Sequence, residues 1–191
     1  MMAAVIIDYL YQTDLHDNVG IAYLFCSYRQ QADQGATDLF AAVLKQLVQS
    51  RPDLIAPVMS MHDHHFKRGS RPSLDELMQA LLSICSSYST VYIVVDALDE
   101  CSYKTGVRRR LVDMLHSLQA NGNVRLLFTS RFIPDVTIDF QSSPWLEIRA
   151  SEEDVKRYIA GQIPRLSEAI QRDEELKHLV QSKIAEAADG M

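Results

Sequence analysis

Three carboxylates fall within five consecutive positions of the sequence, where a long apolar run ends. Asp96 closes the run 91–95, and Asp99 and Glu100 follow shortly after it. Acids this close repel one another unless a cation or protons compensate, and an unpaired charge at a buried strand end is costly. Mg²⁺ with retained waters would satisfy such a site, so the pattern predicts Asp96 as a metal ligand. For Asp99 and Glu100, helix capping or a place in a surface loop is the alternative.

A second apolar run, VRLLF, ends in Thr129, Ser130 and Arg131. About one helix separates the two runs, which is the length of a crossover between parallel strands. The two strand ends are therefore expected to face one crevice, where an acid-held metal and an arginine would suit a polyphosphate. The alternative for Arg131 is a surface salt bridge, for example with Asp135 or Asp139.

The elements that would position these residues alternate between strand and helix patterns. Apolar runs predict strands at 19–28, 90–98, 124–129 and 145–150. The run 90–98 shows no polar alternation, as expected of a strand buried on both faces. Helical spacing predicts helices at 3–12, 37–50, from Ser73 to about Ile84, 106–120 and from Ser151 onward. This alternation predicts an α/β fold with a mostly parallel sheet, in which ligands bind outside the carboxyl ends of the strands.

Local signals refine this assignment. Ser73 and Glu76 have the spacing of a capping box, in which each side chain binds the backbone N–H of the other residue. Residues 53–72 are mixed in character, and their final part, HDHHFKRGSRP at 62–72, is expected to form a surface loop. Trp145 is the one tryptophan of the chain and is expected in the core at the last strand.

The chain has 191 residues, of which 47% are hydrophobic and 23% charged, as in ordinary globular domains. Its net charge of −6 and pI of about 5.5 argue against nucleic-acid binding. Apolar runs are too short for a membrane helix, and the N-terminus lacks a basic leader, so a cytoplasmic protein without membrane contact is expected. The cysteines Cys26, Cys85 and Cys101 are odd in number and far apart, which predicts reduced thiols and no disulfide.

Two of these segments resemble motifs of a known protein family. VYIVVDALDEC at 91–101 resembles the Walker B segment of NACHT-type signal-transduction NTPases, including the small Ala97 after the metal aspartate. LLFTSR at 126–131 resembles the sensor-1 strand of that family. Together with RPSLDEL at 71–77, DALDEC is most similar to the nephrocystin-like N-terminal NACHT domains. These are abundant in large fungal proteins that resemble innate-immune receptors.

The resemblance covers roughly residues 3–163 and implies a three-layer P-loop NTPase-like fold that uses Mg²⁺ and ATP or GTP. Position by position, it implies that Asp96 holds Mg²⁺ through water. It also implies that Asp99 or Glu100 polarises the attacking water. Arg131 would sense the terminal phosphate, with Thr129 and Ser130 in the same nucleotide-binding segment. The expected domains are 1–163 and 164–191, the second beginning a further helical segment.

The phosphate-binding loop of that family, G-x-x-x-x-G-K-[ST], does not occur in the 191 residues, and no glycine is followed by a lysine. The glycines are Gly20, Gly35, Gly69, Gly106, Gly122, Gly161 and Gly190. The helix at 3–12 occupies the place of the family's helix just after the loop. The first strand and the loop are therefore expected to be missing, as in a fragment of a larger protein.

The family's strand order places the missing strand between 124–129 and 145–150. This predicts a gap in the sheet, since each flanking strand would present unpaired backbone groups. The expected protein is marginally stable and either self-associates or needs a protein partner.

Two functions follow. The first is an NTPase-type switch, in which nucleotide exchange and hydrolysis control an oligomerising signalling protein. The second is a non-catalytic protein-interaction module derived from that fold. The motifs at 96–100 and 126–131 indicate that the chain descends from an NTPase-type switch. The missing loop favours a protein-interaction module as its present function. A metal-dependent phosphohydrolase that uses the acid cluster alone is a remote third possibility.

Other reactive residues give weaker signals. The segment 62–65, HDHH, offers metal ligands without a closed set of partners. The arginines at 108–110 are expected on a solvated face. No nearby base is visible for Cys101, which disfavours a nucleophile there.

Overall fold

The computed structural model describes residues 2–13, 18–30, 35–120, 122–149 and 151–188. Its internal contacts divide the chain into two units, 1–141 and 142–191. The elements of the first unit are α1 (Met2–Thr13), β1 (Val19–Phe25), α2 (Ala36–Ser50), α3 (Ile55–Arg68), α4 (Leu74–Ser86), β2 (Thr90–Asp96), α5 (Val107–Gln119), β3 (Val124–Phe128) and α6 (Pro134–Asp139). Those of the second are α7 (Glu152–Gln162), α8 (Glu168–Arg172) and α9 (Glu174–Ala188). The domain limits 1–163 and 164–191 stay a prediction.

The sheet of the described residues is parallel and has the order β1-β2-β3. Its register aligns Phe25 with Asp96 and Val95 with Phe128. All three strands therefore end at the same edge, and the segments that follow them are neighbours there. This confirms the predicted α/β class with a parallel sheet. The more specific P-loop NTPase-like fold stays a prediction.

Helices cover the two faces of this sheet. On one face, Ala3 and Ile7 of α1 pack against Val94 of β2. On the other face, β2 contributes Val91, Ile93 and Val95 to a larger core. The side chains of α2, α4 and α5 complete that core: Leu39, Phe40, Val43, Leu44, Leu47, Leu77, Leu81, Ile84, Leu111, Leu115 and Leu118. Because β2 is covered on both faces, it reads as a continuous apolar run in the sequence.

The predicted capping box at the start of α4 is confirmed. The backbone N–H of Ser73 donates to Glu76 Oε2 at 2.8 Å, and the N–H of Glu76 donates to Ser73 Oγ at 3.3 Å. The hydrogen bond from the Ser73 N–H, followed by the one from the Ser73 hydroxyl to Glu76 Oε2 at 2.7 Å, lowers the pKa of Glu76 to about 2. His65 on α3 extends the contact, with its Nε2 lying 3.1 Å from Glu76 Oε1.

Two assignments of secondary structure were wrong. Most of the predicted surface loop 62–72 belongs instead to α3, which ends at Gly69 in a left-handed conformation with φ +61°. Val58 and Met61 of α3 pack against the core, and this tertiary contact outweighs the mixed local composition. The predicted strand at 145–150 is absent over its described part, 145–149. Trp145 is 70% exposed, so its expected place in the core was also wrong.

The prediction of reduced thiols was wrong for Cys26 and Cys101 and right for Cys85. Cys26 and Cys101 are joined in a disulfide, with 5.5 Å between their Cα atoms. Spacing along the chain concealed this pair because the register of β1 and β2 brings the two residues together across 75 positions. Cys85 is a free, buried thiol.

From Glu152 onward the described part of the second unit is largely helical, as predicted from the sequence. Its first helix begins after Ser151, whose hydroxyl accepts a hydrogen bond from the Asp154 N–H at 3.1 Å. Helix α7 packs against α9. Within the described ranges of the whole chain, no helix is both long and apolar enough to cross a membrane.

Candidate functional site

The backbone joins the ends of β2 and β3 before any side chain is considered. The N–H of Thr129 donates to the carbonyl of Val95 at 2.9 Å, and the N–H of Leu98 donates to the carbonyl of Thr129 at 2.9 Å. These bonds continue the parallel ladder beyond the strands. They hold the segment after β3 beside the segment after β2, as the sequence predicted for one crevice.

Thr129 fixes the carboxylate of Asp96. Its hydroxyl donates to Asp96 Oδ1 at 2.6 Å and accepts the N–H of Ala97 at 3.0 Å. One hydroxyl thus satisfies both an acid and a backbone donor at a half-buried position. Thr129 is therefore a positioning residue for Asp96.

Ala97 gives the chain a sharp turn directly after Asp96. Its φ of +55° and ψ of +51° lie in the left-handed region, which costs energy for a residue with a Cβ and persists only where surrounding bonds enforce it. A 3-10 turn, Leu98–Glu100, follows. The turn redirects the chain so that Asp99 and Glu100 both return toward the strand ends.

Asp99 binds Arg131 through two hydrogen bonds. The backbone N–H of Arg131 donates to Asp99 Oδ1 at 3.1 Å, and its Nε donates to Oδ2 at 2.6 Å. The Asp99 side chain is 2% exposed, whereas that of Arg131 is 75% exposed. The carboxylate raises the pKa of Arg131 above its ordinary value. The salt-bridge alternative for Arg131 named Asp135 or Asp139, and the observed acid is neither.

Glu100 faces the segment that follows β1. Its Oε2 accepts the backbone N–H of Tyr28 at 3.1 Å. The N–H of Cys26 also donates to the carbonyl of Asp96 at 3.0 Å, and Cys26 is bonded to Cys101. Sequence reasoning did not single out Cys26 or Tyr28. The signal was available, since the rule that carboxyl ends of parallel strands meet at one edge applies equally to β1.

These residues surround an open cleft of about 320 Å³. Ala97, Asp99, Glu100, Thr129, Ser130 and Arg131 line it. Asp96 lies directly behind it through its bond to Thr129. The structure therefore brings the six predicted site residues together at one edge of the sheet, and their assigned roles stay predictions.

Few side chains of the cleft are placed to bind a metal ion. Among the residues that the structure describes, no group of three or more His, Cys, Asp or Glu side chains is arranged to hold a metal ion. Mg²⁺ in nucleotide sites typically uses one or two carboxylates, with water and phosphate oxygens as its other ligands. A single ligand from Asp96 fits that pattern, whereas an all-protein metal cage does not.

The basic run at 108–110 divides between core and surface. Arg109 and Arg110 are exposed, as expected, but Arg108 is buried with 5% side-chain exposure. Its guanidinium lies 4.8 Å from the ring centre of Tyr103 and 4.0 Å from Asp135 Oδ2. The expectation of a solvated face was therefore wrong for Arg108, which links the start of α5 to α6.

Thr129→Val is expected to destabilise the fold by roughly 1–3 kcal/mol, because it leaves the Ala97 N–H and the Asp96 carboxylate without their shared partner. Thr129→Ser is the matched control, since it keeps the hydroxyl. Urea unfolding monitored by circular dichroism measures both variants. Equal midpoints for the valine and serine variants would contradict the positioning role of Thr129.

A known protein family matches the part of the chain that contains this site. The family described as Nephrocystin 3, N-terminal, matches residues 1–131, which is well over half of the chain. No curated protein matches the sequence. The matched range includes α1, the complete sheet and every residue of the cleft. The chain belongs to the nephrocystin 3 N-terminal family.

Proposed function

We propose that the cleft is the metal and terminal-phosphate side of a nucleoside-triphosphate site, as in NACHT-type signal-transduction NTPases. One observation carries the proposal: Asp96, Glu100 and Arg131 meet at the carboxyl ends of adjacent parallel strands. Ligands of open parallel sheets bind at such an edge. The resemblance of 91–101 and 126–131 to Walker B and sensor-1 motifs assigns the roles.

Each side chain then has a distinct task. Asp96, oriented by the Thr129 hydroxyl, would hold Mg²⁺ that is shared with the phosphates. Glu100 would position the attacking water, because the Asp99 carboxylate is buried and already accepts two hydrogen bonds from Arg131. Arg131, whose guanidinium is mostly exposed, would neutralise charge on the terminal phosphate. Bound Mg²⁺ would supply electrostatic stabilisation of that charge.

The phosphate cradle is not part of these 191 residues, since G-x-x-x-x-G-K-[ST] does not occur in them. Backbone N–H groups and the lysine of that loop normally hold the β- and γ-phosphates. Within the described sheet, β3 is an outer strand. This is the side where the resemblance places the strand that carries the loop, so the proposed site would be completed there.

Calorimetric titration tests this proposal with two proteins. One is the 191-residue chain, and the other is a loop-bearing protein, in which a strand and a G-x-x-x-x-G-K-[ST] loop precede α1. The chain is expected to bind Mg·ATP weakly or not at all. The loop-bearing protein is expected to bind it tighter by well over tenfold, which corresponds to more than about 1.4 kcal/mol.

The outcomes separate the hypotheses. Low-micromolar binding by the chain alone would contradict the expected need for the loop. A folded loop-bearing protein that binds no Mg·ATP would contradict the nucleotide site and favour a protein-interaction module. A loop-bearing protein that binds Mg·ATP more tightly than it binds ATP in EDTA would support the assigned metal role.

A further inference from the structure

The disulfide joins two of the three segments that form the edge of the sheet beside the cleft. Cys26 directly follows β1, and Cys101 ends the turn that carries the acids, called here the acid turn (residues 97–101). Both cysteines are buried. The bond therefore links the β1 end to the acid turn from inside the fold, without occupying the cleft.

Hydrogen bonds make the same connection at neighbouring atoms. The N–H of Cys26 donates to the carbonyl of Asp96, and the N–H of Tyr28 donates to Glu100 Oε2. The position of Glu100 relative to segment 26–28 is thus held by one covalent bond and by hydrogen bonds. The left-handed Ala97 begins the same turn, and such a conformation depends on restraints around it.

We propose that Cys26 and Cys101 form a thiol–disulfide switch that sets the mobility of the acid turn. In the oxidised form, the disulfide holds the turn and the Glu100 carboxylate against segment 26–28. In the reduced form, only the hydrogen bonds remain, and the turn opens more often. The proposal concerns the motion of the turn and does not require that the cleft bind nucleotide.

The exchange partner is a low-molecular-weight thiol, with glutathione as the probe. When a local opening of the acid turn exposes the buried pair, the glutathione thiolate attacks one sulfur, the S–S bond breaks, and a mixed disulfide forms while the other cysteine leaves as a thiolate. A second glutathione thiolate attacks the mixed disulfide and releases the first cysteine. In total, two glutathione thiols reduce the bond to two cysteine thiols and become oxidised glutathione, so atoms and electrons balance.

The third cysteine is an internal control. Cys85 lies in α4, away from the disulfide, and is buried in the main core. Burial raises the pKa of its thiol to about 12, so the fraction of reactive thiolate at neutral pH is very small. Because Cys85 has no disulfide partner whereas Cys26 and Cys101 are bonded to each other, interconversion of thiol and disulfide within the chain is expected at Cys26 and Cys101 and not at Cys85.

The first measurement counts thiols. The chain is equilibrated in glutathione buffers from oxidising to reducing, quenched in acid, alkylated under denaturing conditions and weighed intact. Alkylation of one cysteine is expected at the oxidising end and of all three at the reducing end. Alkylation of three cysteines in every buffer, or of one in every buffer, would overturn the switch. Cys85→Ser should retain the transition.

The second measurement follows hydrogen exchange of the acid turn. The N–H groups of Glu100 and Cys101, which donate to the carbonyls of Ala97 and Leu98, are expected to exchange roughly tenfold faster in the reduced chain. Amides of α4 around Cys85 should be unaffected. Equal exchange of the acid turn in both redox forms would overturn the proposal.

The double variant Cys26→Ser/Cys101→Ser provides a check that does not depend on buffer. It should exchange like the reduced chain under all conditions. Exchange at the oxidised rate in this variant would contradict control by the disulfide. If the variant does not fold, the reduced wild-type chain supplies the same comparison.

Discussion

Arg131→Ala is expected to lower ATP turnover of the loop-bearing protein by about 10²- to 10³-fold, the usual loss when one preorganised donor to transition-state charge is removed. The expectation follows from the proposed site, in which the guanidinium must exchange the Asp99 carboxylate for phosphate oxygens. The value of kcat should fall much more than KM rises, because the interaction strengthens as charge develops. Steady-state kinetics with Mg·ATP measures both constants.

Two further arginine variants serve as controls for Arg131→Ala. Arg125→Ala changes an exposed arginine near the start of β3, at the opposite end of the strand from the cleft, and should leave turnover unchanged. Arg131→Lys keeps the charge but loses the planar fork that binds two oxygens at once, so an intermediate rate is expected. Wild-type turnover in folded Arg131→Ala would contradict the role assigned to this residue.

The sequence predicted which residues would meet at one edge of the sheet because its strands are unusually clear. The run 91–95 is apolar throughout, so the acids after it had to lie at a strand end. Apolar residues also mark 124–128, which placed Thr129 and Arg131 beside those acids once a parallel sheet was assumed. In the structure, β2 and β3 do pair in parallel, and the predicted residues line or adjoin one cleft.

The contacts within the site were not predictable from spacing. Arg131 binds Asp99 because the left-handed turn at Ala97 directs the acid toward β3, and no local pattern specifies that turn for an alanine. The disulfide likewise depends on which strand lies beside β2. That neighbour is β1, whereas sequence patterns identify strands without fixing their order.

The strand predicted at 145–150 is absent for a different reason over its described part, 145–149. Trp145 and Ile148 have high β-propensity, but that preference expresses a fit to a partly buried sheet surface more than an intrinsic backbone tendency. Leu146 is exposed, and the segment pairs with no strand of the described sheet. The gap predicted between 124–129 and 145–150 therefore has no second flanking strand among the described residues. Strand β3 is an outer strand of the described sheet.

The two acids of the proposed site are expected to fail in different ways. In the loop-bearing protein, Glu100→Gln should lower turnover by about 10²- to 10⁴-fold, the range for loss of a general base, while Mg·ATP affinity changes little. Asp96→Asn should instead weaken binding in Mg²⁺ and have little effect in EDTA, because its task is to hold the metal. Calorimetry with ATP in each condition, combined with single-turnover kinetics, separates the two effects.

The distinction rests on how each carboxylate is held. The Thr129 hydroxyl orients Asp96 behind the cleft, whereas Glu100 lies on the cleft lining, with Oε2 on the Tyr28 N–H. Asp113→Asn, on the exposed side of α5, is the matched control and should change neither binding nor turnover. Equal losses of binding in Glu100→Gln and Asp96→Asn would mean that both acids act on the metal. Full turnover in Glu100→Gln would return the water-positioning role to Asp99, which could serve only after Arg131 leaves its carboxylate.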